Sequence, residues 1–126
     1  WGNLMSTVDS QAYLYIWDHH PKINGSRKLK AFHAAEVPYI FGSVDNFDID
    51  FNEEDVTLSN NMIDIWTNFA KTGNPSLPGV FTWPPFNSTS QKYVSIGVVI
   101  KEKQNLRSEK VSLINEGYNR SRIDFK

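Results

Sequence analysis

Three histidines, His19, His20 and His33, are the side chains of this 126-residue chain suited to proton transfer near neutral pH. An imidazole of that kind can take a proton and return it, the work of a general acid–base catalyst. His19 and His20 follow directly on an aromatic run, and that adjacency predicts packed, hydrogen-bonded side chains rather than a reactive pair. His33 and Glu36 stand one helical turn apart, but two ligands without partners make no metal site, so neither metal nor cofactor is expected. The acidic run Asp45, Asp48, Asp50, Glu53, Glu54 and Asp55 lacks the glycine and terminal-glutamate spacing of a calcium loop; it is expected to be a solvated turn leading into a helix. No two of the seven glycines stand four apart, which removes the strand–serine–helix elbow of G-x-S-x-G type. The glycine-rich phosphate loops are missing too. With no cysteine there is no disulfide, thiolate zinc site or cysteine nucleophile in this stretch. The chain therefore offers a candidate base without a candidate nucleophile.

That base needs elements to hold it. Gln11 to Asp18 (QAYLYIWD) is continuously apolar or aromatic from Tyr13 to Trp17, the pattern of a strand covered on both faces near the middle of a sheet flanked by helices. Few other strands are evident, so the rest of such a sheet is expected elsewhere. A polar, basic stretch from Lys22 to Lys30 leads to AFHAAEVPYIFG, read as a loop carrying His33 that runs into a short helix, with Pro38 in its first turn and Gly42 as its left-handed stop. Phe51 to Asn74 carries the strongest helix signal. Glu53, Glu54 and Asp55 stand at its positive end, Leu58, Met62, Ile65, Trp66 and Phe69 form one apolar stripe, and Gly73 with Pro75 ends it. A proline-rich surface loop follows, then a strand over Gln91 to Ile100 with Gly97 as a bulge. A last helix is expected over Lys101 to Asn119, burying Leu106, Val111, Leu113 and Ile114.

Composition narrows the class. Hydrophobic residues make up 40%, aromatic residues 13% and charged residues 21%, the profile of a globular chain. A net charge of -1 gives no basic face for nucleic acid or anionic lipid, and no apolar run approaches the roughly 18–20 residues of a membrane span. A start at Trp1 suggests a piece of something longer. Three sequons, at Asn24, Asn87 and Asn119, make these candidate glycosylation sites and favour a secreted or secretory-lumen protein slightly; Asn74 is disqualified by Pro75.

Three ordered blocks carry a resemblance. The strand YLYIWDHHP is followed by a histidine signature H-x-x-E-[ILV]-x-[FY]-x-F-G, matched at His33, Glu36, Val37, Tyr39, Phe41 and Gly42. The block W-x-x-F-A-x-x-G-x-P runs from Trp66 to Pro75, with Trp83-Pro84 and QKYVSI after it. Together they resemble the C-terminal part of the type-B carboxylesterase and cholinesterase-like family. The resemblance implies an α/β fold in which residues 1–126 are the C-terminal segment of one α/β-hydrolase catalytic domain, incomplete alone. It implies hydrolysis of carboxylic esters, with His33 as the triad histidine and Glu36 in support one turn away. The serine nucleophile, the triad acid and the oxyanion donors would come from an N-terminal part of the same esterase, the expected partner, with a small ester as substrate. Cholinesterases proper carry a bulky aromatic residue where Ala35 stands, so a general carboxylesterase fits better than a choline-specific one. The rival expectation is a catalytically inactive relative serving adhesion or binding.

Overall fold

The computed structural model describes residues 2–5, 7–20, 30–46 and 51–123. Asn24, Asp48 and Asp50 lie outside the described residues. In chain order the elements are α1 (Gly2–Met5), β1 (Tyr15–Trp17), α2 (Val37–Ile40), a 3-10 turn (Val44–Asn46), α3 (Glu53–Thr72), β2 (Lys92–Ile96), β3 (Lys101–Gln104) and α4 (Ser108–Ile123).

The aromatic run pairs over a shorter span than its composition predicts. β1 lies parallel to β2 with Tyr15, Ile16 and Trp17 opposite Val94, Ser95 and Ile96. One further bond at each end, Val94 N–H to the Leu14 carbonyl and Asp18 N–H to the Ile96 carbonyl, closes the ladder. Upstream, the Ala12 carbonyl instead accepts from Phe86 N–H, just past the Pro84–Pro85 pair that cannot donate to a ladder. The described sheet has the order β1-β2-β3, with β1 on its open flank and Tyr15 partly exposed, and these three strands leave the expectation of a central strand, with the rest of its sheet elsewhere, untested. A parallel pair requires a long crossover. Here α2 and α3 supply it, and this puts them on one face of the sheet.

That face is built from alternate β1 residues. Tyr13, Tyr15 and Trp17 turn toward the helices in edge-to-face or tilted ring contacts, Tyr13 with Phe69, Tyr15 with Trp66 and Trp17 with Tyr39. The α3 stripe is buried at Leu58, Met62 and Ile65, whereas Trp66 is half-buried and Phe69 exposed at the rim. α3 starts on a capping box and ends at Gly73 in the left-handed conformation, φ 74°, as its sequence predicts. Gly42 (φ 60°) also closes α2 as expected. A Cβ there would come within 2.9 Å of Ile63 Cδ1, so the site needs glycine for backbone angle and for room.

The final quarter departs most from expectation. Gly97 is no bulge. It ends β2, the chain reverses, and Lys101–Gln104 returns antiparallel as β3, with Tyr93 opposite Lys103. The helix expected from Lys101 begins only at Ser108, because left-handed Asn105 (φ 58°) and Arg107 (φ 49°) break the backbone first. Its expected buried side is also corrected. Val111, Leu113 and Ile114 are exposed, while half-buried Leu106 precedes the helix and, with Val111, borders an open groove beside Leu14, Phe86 and Tyr93. Among the described residues no helix is long and apolar enough to cross a membrane.

Candidate active site

His33 sits on the crossover from β1 to β2, in the turn that enters α2. It occupies an exposed turn closed by Ala35 N–H donating to the Phe32 carbonyl at 3.1 Å. The turn runs into the helix without a gap: Val37 N–H donates to the Ala34 carbonyl, and Tyr39 and Ile40 N–H both donate to that of Glu36. Ala34, next to the histidine, has φ 66°, a conformation that costs a residue with a Cβ roughly 1–2 kcal/mol. Strain of this kind concentrates where a neighbouring group must be presented in one orientation. Ala35 is buried and anchors the turn to the core. Among the described residues nothing hydrogen-bonds the His33 imidazole, which leaves both ring nitrogens open to groups outside this set.

Glu36 occupies the N-cap position of α2 but makes no side-chain capping bond, and none joins it to His33. Its carboxylate acts on Tyr15 instead: burial first, and then the charge of Glu36, push the Tyr15 phenol above its ordinary value. Among the remaining expected sites, Asn87 is exposed, with its Oδ1 accepting from Thr89 and Ser90 N–H at 3.0 and 2.7 Å. Asn119 lies exposed on α4. Among the described residues no three potential ligands gather to hold a metal ion.

Beneath the His33 turn lies a cluster that the sequence left unassigned. Asp55, 1% exposed, accepts His19 Nε2 at 2.5 Å and the Tyr39 hydroxyl at 2.9 Å on Oδ1, and Asn52 N–H at 3.0 Å on Oδ2. Asn52 Oδ1 accepts Asp55 N–H in return, completing the capping box of α3. Ser59, one turn along α3, donates to the Tyr39 carbonyl at 3.0 Å. Burial and then the Asp55 carboxylate hold the Tyr39 phenol far above its ordinary range, keeping it a neutral donor. His19 is thus packed and hydrogen-bonded as expected, with its ring edge-on to Trp17 and Tyr39, whereas the same expectation is corrected for His20, which is exposed and has no hydrogen-bond partner among the described residues. The solvated acidic turn is corrected at Asp55. Its signal was the Asn52-x-x-Asp55 spacing of a cap, hidden inside a run of acids.

Residues 2–114 match the model of the carboxylesterase family. The chain belongs to the carboxylesterase family. As a carboxylesterase-family chain it is 31% identical over 128 residues to acetylcholinesterase of Electrophorus electricus, covering 91% of this chain and 20% of that protein. It is 32% identical over 130 residues to human Neuroligin-2, covering 86% of this chain and 16% of the relative. A solved PNB esterase superposes with a TM-score of 0.76 at 31% identity, over 88% of this chain and 22% of that one. The described elements are thus a portion of the α/β-hydrolase fold. The chain spans about a fifth of the length of these carboxylesterase-family relatives.

Proposed function

We propose that this chain supplies the general acid–base histidine, His33, of a serine-dependent carboxylic ester hydrolase. The observation that carries the reading is the family's histidine signature lying on an exposed, strained turn whose imidazole has no partner among the described residues. The serine nucleophile, triad acid and oxyanion donors lie in sequence beyond these residues, in the same catalytic domain. His33 takes the serine hydroxyl proton as that oxygen attacks the ester carbonyl, then gives it to the departing alkoxide. It repeats the transfer with water to release the acid. Glu36 stands in support one turn away, at the N-cap position of α2. The substrate is a small ester, and a general carboxylesterase fits better than a choline-specific one, since Ala35 takes one aromatic contributor away from quaternary-ammonium recognition.

The test is His33→Ala in the complete protein, assayed on a 4-nitrophenyl ester. A fall in kcat/KM of about a thousandfold or more supports the role, and a loss below about tenfold overturns it. A second reading, a catalytically inactive binding protein, is favoured by the similarity to Neuroligin-2, a name that designates no hydrolase. A fluorophosphonate decides between the two, because it labels an activated serine in the enzyme and nothing in the binding protein. We also place the protein in the secretory pathway, with Asn87 as the best-presented glycan acceptor: it is exposed in a turn, whereas Asn119 lies within a helix. Loss of one glycan mass on Asn87→Gln after secretion checks this.

A further inference from the structure

The crossover that carries His33 leaves the sheet at His19 and returns to the core at Tyr39. Both ends arrive at the same carboxylate oxygen: Asp55 Oδ1 accepts His19 Nε2 and the Tyr39 hydroxyl together. Asp55 is itself immobilised. It is the third residue of α3, its Oδ2 is held by Asn52 N–H, and its own N–H is held by Asn52 Oδ1. Ser59 adds a second tie from the same helix to the Tyr39 carbonyl. Tyr39 stands in α2, and α2 is continuous through the Ala34–Val37 and Phe32–Ala35 bonds with the turn that presents His33.

We infer that Asp55 is a positioning residue for His33: one buried carboxylate draws both stems of the histidine-bearing segment together and fixes the turn against α3. Three donors from three different segments meet on a group that is almost wholly buried, where an unfilled carboxylate oxygen is costly. Left-handed Ala34 and buried Ala35 lie in the turn between these two ties. Asp55 touches neither substrate nor reacting atoms; it acts on His33 through the backbone. The catalytic consequence rests on the hydrolase reading above, but the mechanical one does not.

The experiment measures amide hydrogen exchange at Ala35 and Val37 in the complete protein, together with kcat and KM on a 4-nitrophenyl ester. The variants are Asp55→Asn, Tyr39→Phe, His19→Gln and His19→Ala. The control is Asn68→Ala, which removes the bonds from α3 to the Asn74 and Ser76 carbonyls at the far end of that helix. Asp55→Asn and Tyr39→Phe are expected to speed exchange at both amides about tenfold, the scale of one lost hydrogen bond to a charged group. The control should leave exchange there within about twofold. His19→Gln, which keeps a donor for Asp55, should fall nearer wild type than His19→Ala. With an active enzyme, kcat should drop about tenfold while KM stays within about twofold, since ground-state binding is untouched. Exchange unchanged in Tyr39→Phe and Asp55→Asn, or equally fast in Asn68→Ala, overturns the inference. Tyr39→Phe and His19→Gln carry the comparison if Asp55→Asn does not fold. A wild type inert toward esters defeats the hydrolase reading, and the exchange rates still decide the clamp.

Discussion

His19 and His33 stand fourteen positions apart on one crossover and live in opposite surroundings. His19 is 6% exposed, wedged between the rings of Trp17 and Tyr39, and bonded to a buried carboxylate. His33 is exposed on a strained turn with no partner among the described residues. The same imidazole chemistry is committed to structure in one place and left available in the other. What separates them is whether a complementary group is already at hand. A satisfied histidine holds a fold together; under the proposed function the other is left for groups outside the described residues.

The largest expected effect separates these roles by activity. His33→Ala in the complete protein should remove about a thousandfold or more of ester hydrolysis, yet cost less stability than His19→Ala, because no bond to His33 holds the described core together. Parallel ester assays and denaturant melts read both quantities. His19→Ala should do the reverse in the melts. It removes a donor from a buried carboxylate and leaves a hole beside two rings, and about 2–4 kcal/mol of stability should go with it. An unchanged melting curve for His19→Ala would erase the contrast.

Smaller effects sharpen the comparison. Tyr39→Phe deletes one bond to Asp55 and should cost about 1.5–2 kcal/mol near neutral pH. Its pH dependence has a definite sign. The Tyr39 phenol is raised above its ordinary value of 10.0 by burial and by Asp55, so the folded state keeps a proton that the unfolded chain releases first. That contribution is complete below pH 10 and is lost as pH rises beyond it, and wild type should lose stability there faster than Tyr39→Phe. Alkaline melts of the two proteins, run side by side, check the difference. Smallest is Gly42→Ala, at about 1 kcal/mol, from a left-handed backbone angle and a Cβ pressed on Ile63. A melt unchanged within error would show that Ile63 and the turn relax freely.

Much of this arrangement was legible in the residues. The stripe Leu58, Met62, Ile65 and the stops at Gly42 and Gly73 follow from local rules, and local rules suffice where a helix carries its own caps. The histidine turn leading into α2 was legible for the same reason. The β3 return was not. Lys101–Gln104 has no apolar alternation, and its strand character comes from pairing with β2 rather than from its own side chains. Asp55 was hidden differently: five other acids surround it in sequence, and only the fold reveals that one of them turns inward to meet residues from two distant segments. A charge run looks uniformly solvated until partners remote in the chain are known. α4 failed for a third reason, since an apolar stripe predicts burial only where something stands opposite it.

The two borders of the small sheet are unlike. β3 is Lys-Glu-Lys-Gln, exposed along its whole length, and such charged margins discourage any newcomer from annealing there. β1 has no such guard and runs parallel to its neighbour. Pairing on this sheet is therefore directional: the β1 flank is open to a further strand, and the charged hairpin end resists one.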